Sequence, residues 1–337
     1  MKKSFLITLL GGLILSINTN YTQNLFSFKD GTKEGFINES GKVVIPATFD
    51  DVDDFSDGLA KVKINTKYGY INKSGKLVIP AKYLRGTEFN EKNAAVKDEK
   101  GWHYININGE TIFDEDCNYA YAFHDGLARM QVNVDFGYIN HKGEIVIKPM
   151  FDRAYEFHEG LARVQKNDKW GFIDKNGIMV IPPKFDMVWD FSEGLANFRI
   201  GSSSHGKWGY INKNGDVVIS AQFDKAFNFH EGFALFRSGD FKGGKYGYID
   251  KKGKVVISAK YDGAMNFSEG LANVSIGKGR NATWGYIDKT GKIIIDSRFS
   301  KHGDFKNGLA SVRVGDFKTG TTGYINKTGE FIWPKSK

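Results

Sequence analysis

The stretch "KWGFIDKNGIMVIPPKFDMVWDFSEGLA", residues 169–196, carries a Trp-Gly pair, an Asn-Gly pair, two prolines and a Glu-Gly pair in one short span. So dense a set of special residues reads either as a site or as a unit of scaffold. The rest of the chain decides between them, because the stretch recurs. With the Gly of Trp170-Gly171 as reference, the same slot holds Gly35, Gly69, His103, Gly137, Gly171, Gly209, Gly247, Gly285 and Gly323. The steps are 34 residues for the first four intervals and 38 for the last four. Self-similarity at such a period is the signature of a repeat architecture, to be read before any single motif.

The longer step has one location. Leu161 to Gly171 is ten residues, and Leu195 to Gly209 is fourteen, so four residues are added to one loop, as in "RIGSSSHGK". A loop that tolerates insertion faces outward. Within a unit, "LARVQ", "WGFID" and "IMVIP" read as short strands rich in branched and aromatic residues. Asp-Lys-Asn-Gly between the second and third gives an Asx-started hairpin turn with glycine in the left-handed position. Proline after the third strand (Pro46, Pro80, Pro182) is expected to stop its ladder, having no N–H to donate. The connection "FDMVWDF" fits a fourth strand or one helical turn, and is too short for periodicity to decide. The unit is thus scaffold: Trp170-Gly171 a packing pair, Asn176-Gly177 and Glu193-Gly194 turns.

These residues resemble the WG-repeat (KWG-repeat) family of bacterial proteins. The motifs are Trp170-Gly171-Phe172-Ile173-Asp174, Gly177, Ile181-Pro182, Phe185-Asp186 and Phe191-Ser192-Glu193-Gly194-Leu195-Ala196, with counterparts over about residues 25–334. Unit 3 departs at Trp102-His103, unit 1 at Glu34 and unit 9 at Thr322. The resemblance implies an all-β repeat array with no known enzymatic role. The expected fold is nine antiparallel three-stranded units of 34–38 residues in one domain, 24–337. Nine units of two lengths favour an open, superhelical, solenoid-like array, with a propeller-like ring or spiral as the alternative.

Residues 1–23 read as a signal peptide: two lysines, an apolar run from Phe5 to Ile17, then polar residues. That run is 13 residues, short of the ~20 a spanning helix needs, so no stable membrane span is expected in the mature chain. An exported protein is expected, periplasmic, on the outer surface or secreted. Its formal charge of +8 is mild, and export argues against nucleic acid as a partner. Cys117, the single cysteine, stands in an aromatic core slot and is expected to be an inert buried thiol.

Catalytic signatures such as HExxH, GxSxG and the P-loop are missing, and no catalytic residue, cofactor or metal is expected. His124, His158 and His230 share a turn slot in which stacking brings the first two together, short of the three or four ligands a metal needs. The aspartates Asp50, Asp152, Asp186, Asp224 and Asp262 are expected to cap turns. Lys73, Lys213, Lys251 and Lys289 sit at hairpin tips as a basic edge. One slot varies informatively. Four residues after the "FD" aromatic it reads Asp53, Thr87, Tyr121, Tyr155, Trp189, Phe227, Met265, Gly303. Aromatic rings occupy only the central units, so Tyr121, Tyr155, Trp189 and Phe227 are the candidate ligand-binding residues. The expected role is a non-catalytic exported scaffold that binds an envelope or extracellular protein. The alternative is a carbohydrate-binding module for a glycan or cell-wall polymer.

Overall fold

The computed structural model describes residues 23–114, 118–240, 242–277, 279, 282–316 and 319–334. Cys117 lies outside them. The described chain forms nine antiparallel sheets in sequence order, seven of four strands and the first and last of three. Each sheet is a meander, and each contains one of the nine reference slots. They are numbered here as blades 1–9.

Blade 5 is representative, with strands Arg153–His158, Leu161–Lys166, Lys169–Ile173 and Met179–Phe185. The "FD…F" connection is therefore a strand and not a helical turn, which makes the complete unit four-stranded rather than three-stranded. Its period-2 alternation is hidden by a bulge: Ala154 pairs with Val164 and Phe157 with Ala162, leaving one extra residue on the first strand. First strands of successive blades touch one another, as Tyr119–His124 does Arg153–His158. They form the inner lining. The fourth strand is the outer edge, with its leading residues exposed (Val217 56%, Val218 46%).

The core lies between blades. Leu161, Trp170, Phe172, Ile181 and Phe185 of blade 5 pack on Val188, Phe191, Ala196, Phe198 and Ile211 of blade 6. Ile173 faces the other way, into the cluster with Tyr138, Ile147 and Phe151 of blade 4. Both faces of each sheet are covered, which is why the third strand reads as a continuous apolar run.

The reference glycine is set by the outer strand. Trp170 pairs with Phe185 and Phe172 with Ile181, so Pro182, Pro183 and Lys184 loop over Gly171. A Cβ on Gly171 would lie 2.3 Å from the Ile181 carbonyl oxygen. The same contact is 2.4 Å at Gly35 and 2.4 Å at Gly209. The prolines sit inside this bulge rather than ending the strand, a position that needs no N–H donor. Blade 3 shows the converse. His103 has a side chain, and there Tyr104 pairs with Phe113 and His103 with Asp114 with no loop between.

Two polar devices join successive blades over much of the ring. Glu193 and Gly194 form a two-residue turn with φ of 53° and 86°. Glutamate rarely adopts that conformation. It does so here with its carboxylate accepting the Gly232 N–H at 3.0 Å and meeting Lys251 Nζ at 3.0 Å, both on the following blade. Glu159 does the same with Gly194 and Lys213, Glu231 with Gly270 and Lys289, and Glu269 with Gly308 and Lys327. In blade 4, His141 takes the lysine's place on Glu91, at 2.9 Å. Lys213, Lys251 and Lys289 are thus clamps rather than a free basic edge, and Lys73 donates to the Gln23 carbonyl. The second device uses the repeated aspartate. Asp186 accepts Lys169 Nζ at 2.6 Å from blade 5 and the Gly201 N–H at 2.7 Å from blade 6, so it caps a turn as its residue type predicts and bridges blades as well.

The array closes, which corrects the expectation of an open solenoid. Phe26, Phe28 and Ile37 of blade 1 pack with Leu309, Tyr324, Ile332 and Trp333 of blade 9. The Tyr324 hydroxyl donates to the Ser27 carbonyl at 2.8 Å, and Lys306 pairs with Asp54 at 2.6 Å. The result is a nine-bladed propeller-like ring. The two repeat lengths do not oppose closure, because the four extra residues lie in exposed loops such as 201–206 and leave the blade-to-blade contacts alike.

Two consequences are measurable. Gly171→Ala forces a methyl onto a backbone oxygen, and should cost about 1–3 kcal/mol. A lowered urea midpoint checks this, and an unchanged one refutes it. The second concerns acid. Burial alone would raise Glu193, Glu231 and Glu269, but their lysine and glycine N–H partners outweigh it and hold all three below the ordinary value of 4.5. Lys169 and Lys207, followed by the Gly201 and Gly239 N–H groups, hold Asp186 and Asp224 low as well. Carboxyls lowered in the folded state contribute stability above their unfolded pKa and lose it as pH falls through the folded value. The urea midpoint should therefore be level from pH 7 to about 5 and drop below that. Combining Glu193→Gln, Glu231→Gln and Glu269→Gln should lower the neutral plateau and flatten the acid limb. An unaltered acid limb in that triple variant would refute the clamp.

Candidate functional site

The inner strands bring the four candidate aromatics into one row. Tyr121, Tyr155 and Phe227 sit at a bulge, where the extra residue turns the side chain out of the sheet alternation, and Trp189 takes the same slot just past the strand Met187–Val188. The bulge carbonyl is pinned by the neighbouring blade: Tyr138 donates to the Tyr155 carbonyl at 2.7 Å, and Tyr210 to that of Phe227 at 2.7 Å. Burial drives these tyrosine hydroxyls far above their ordinary pKa, so they remain neutral donors.

Cations interleave the rings. The Arg129 guanidinium lies 3.7 Å from the centroid of Tyr121 and 5.2 Å from that of Tyr155. Arg163 lies 3.5 Å from Tyr155 and 5.0 Å from Trp189. Lys225 Nζ lies 5.6 Å from Trp189, 4.2 Å from Trp208 and 5.6 Å from Phe227. The order Tyr121, Arg129, Tyr155, Arg163, Trp189, Lys225, Phe227 is one ladder of alternating rings and cations. Each such contact contributes about 0.5–2 kcal/mol, more where water is excluded.

The ladder's arginines have structural partners too. Arg129 pairs with Glu156 at 3.1 Å and donates to the Ala154 carbonyl. Arg163, 4% exposed, donates to Asp190 at 2.7 Å and to the Val188 carbonyl at 3.2 Å. Lys61 reaches the Gly86 carbonyl and Asn197 that of Ala226 from the same slot. In blades 2, 4, 5 and 6 a polar side chain two residues after the leucine of "GLARV" thus ties the blade to the next one's inner strand, whereas blades 3 and 7 carry Ala95 and Leu235 in that slot. The sequence reading passed over this slot. Its signal was a long polar residue inside an otherwise apolar strand. Lys225 differs from these. It bonds no carboxylate or carbonyl among the described residues, and burial, followed by the nearby Arg199 and Arg237, lowers its pKa.

The rings are therefore neither plain core nor free platforms. Tyr121, Tyr155 and Phe227 are partly buried, and Trp189 is 37% exposed. Trp189 offers the most open ring of the four. His124 and His158 do come together, with ring centroids 5.8 Å apart. No group of three or more metal-ligating side chains occurs among the described residues.

No curated protein matches the chain. Solved structures that resemble it do so at low identity. The Kluyveromyces lactis Hsv2p structure is 8% identical with a TM-score of 0.43, covering 82% of this chain and 97% of that one. The β-propeller domain of the Trilobed protease from Pyrococcus furiosus is 11% identical with a TM-score of 0.41, covering 86% and 100%. The tricorn protease is 11% identical with a TM-score of 0.33, and the match covers 86% of this chain but only 35% of that one. The family comparison is decisive. The model of the WG containing repeat matches at residues 35–68, 68–102, 104–133, 136–170, 170–202, 208–240, 246–279 and 284–316. The chain belongs to the WG-repeat family.

Proposed function

We propose that this protein is a non-catalytic exported scaffold that holds a protein partner at the bacterial envelope. The observation that carries this reading is an aliphatic belt on the rim. Outer strands leave exposed Leu77 and Val78, Ile145 and Val146, Val217 and Val218, Val255 and Val256, and Ile293 and Ile294. Each pair sits on a strand hydrogen-bonded on one side only. Contiguous exposed apolar surface marks interaction sites, and repetition around a rigid ring presents it over an extended surface. The bulges limit indiscriminate edge pairing, which leaves the side chains as the recognition feature. Among the described residues no helix is long and apolar enough to cross a membrane. A photo-cross-linker on the rim should capture one defined envelope protein. Val217→Lys with Val218→Lys should abolish that product while leaving the melting temperature unchanged. The same product in the double variant would refute the rim as the contact.

A second reading, glycan binding, is favoured by one observation, the open ring of Trp189 beside the Arg163 and Lys225 cations. Retention on cell-wall sacculi or insoluble polysaccharide in high salt, lost in Trp189→Ala, would support it. Retention equal in wild type and variant, or abolished by salt alone, would dismiss it.

A further inference from the structure

The ring has one seam, and among the described residues the seam lacks an inner strand. In blades 2–8 an inner strand pairs with the free edge of the second strand. Blade 1 begins at its second strand, Leu25–Asp30, which pairs only with Lys33–Asn38. Elsewhere the backbone of that second strand faces the inner strand at alternate residues. Asp53 N–H donates to the Lys61 carbonyl, Asp50 N–H to that of Lys63, and Ser56 and Leu59 exchange bonds. Leu25, Ser27 and Lys29 are the equivalent positions in blade 1, and no strand of the described residues lies against them. A cavity of about 610 Å³ occupies the place, lined by Leu25 and Phe26, by Phe55 of blade 2, and by Asp304, Leu309 and Tyr324 of blade 9.

We infer that this slot accepts an extended peptide segment of a partner protein, added as the missing inner strand of blade 1. The inference rests on the protein-binding reading above and names a second contact for it. The seven complete blades supply the template for the occupant: main-chain hydrogen bonds to one strand edge, with side chains read alternately, which is recognition by strand addition. The template also gives specificity. Inner-strand Phe157 pairs with Ala162 and lies 4.9 Å from Tyr138 of the preceding blade. Every later blade keeps alanine at that second-strand position (Ala60, Ala94, Ala128, Ala162, Ala196, Ala234, Ala272, Ala310). Blade 1 has Phe26 there, and Phe26 itself packs 5.4 Å from Tyr324. The aromatic subsite is already filled from within. The incoming strand must therefore carry a small residue opposite Phe26. Tyr324 is placed to respond. Its hydroxyl now caps the Ser27 carbonyl, whereas its equivalents Tyr138 and Tyr210 donate to an inner-strand carbonyl. Transfer of that hydroxyl to the peptide would release Ser27 to accept a peptide N–H.

The test uses the intact protein and a labelled synthetic octapeptide of residues 153–160, in native form and with Phe157→Ala, read by fluorescence anisotropy. The alanine peptide should bind saturably and the native peptide at least about tenfold more weakly, the order of cost for forcing a ring into a filled subsite. Ser27→Pro removes an edge donor from a strand that tolerates proline there. It should weaken the alanine peptide about tenfold with the melting temperature retained. Three results overturn the inference: no saturation by about 1 mM, near the weakest affinity worth calling specific; equal binding to wild type and Ser27→Pro; or equal affinity for the two peptides. Binding seen only after removal of residues 1–22 would assign the slot to this chain's own N-terminal segment instead of a partner. A partner captured at the rim with no peptide bound at the seam would leave the scaffold reading intact and overturn this one alone.

Discussion

A backbone oxygen stands where a side chain would otherwise be, and the blade is built around that fact. The Ile181 carbonyl approaches Gly171 so closely that any Cβ would overlap it. Only glycine lets the outer strand fold its proline-rich bulge over the third strand. That bulge twists the blade and keeps its edge irregular. Where His103 replaces the glycine, the bulge is missing at that point. The repeated Trp-Gly pair is therefore a steric rule and a packing rule together: the glycine admits a carbonyl, and the aromatic before it covers the gap between blades.

Ring geometry needs a second kind of constraint, because burial between blades is non-directional. Direction comes from carboxylates. Glu159 reaches one backbone N–H and one ammonium on the next blade, and Asp186 reaches one of each across the same boundary. These are charge-assisted bonds of fixed length, stronger than neutral ones. Where the full clamp recurs, its ion-pair lengths vary little from blade to blade, and the contact of Phe26 with Tyr324 completes the ring. Exposed ion pairs contribute little apiece. The clamps add direction to the contact, while the cores between blades supply the stability.

Much of this was legible in the sequence. The nine slots, the turns and the outward position of the extra four residues follow from spacing alone. The inner first strand was hidden because its bulge at Tyr155 breaks the alternation by which strands are recognised. Glu193 read as a turn residue because a turn explains the glycine after it, and nothing local shows the lysine 58 positions beyond, as in the bond of Lys251 to the Glu193 carbonyl. Closure was hidden for a similar reason: it depends on Tyr324 meeting Ser27, 297 residues away. One clue was present. Phe26 breaks a column of eight alanines, and a ring in place of a methyl marks a space that no neighbouring strand fills. The candidate aromatics form an unusual set in the sequence, and the structure puts them in one row. Their cation partners went unread because Arg129 and Arg163 lie on a different strand from the rings they cover.

Repetition also explains where binding can reside. A residue that serves packing must serve it in every blade, so the glycine, the clamp glutamate and the buried tyrosine have little freedom to adapt to a ligand. Freedom remains at three places: the rim, which no blade covers; the bulge slot, which runs from Asp53 through Trp189 to Gly303; and the seam, where the described residues supply no inner strand. The rim is nearly uniform and suits a partner engaged by many equivalent contacts. The bulge slot is graded, with its rings gathered on one side of the ring, and suits a single small group at a single angle. The seam is unique and unsymmetrical, and can fix the orientation of whatever the rim holds. A closed ring of like blades gains a direction only where its symmetry is broken, and in this chain the break is the free edge of Leu25–Asp30 beside Tyr324.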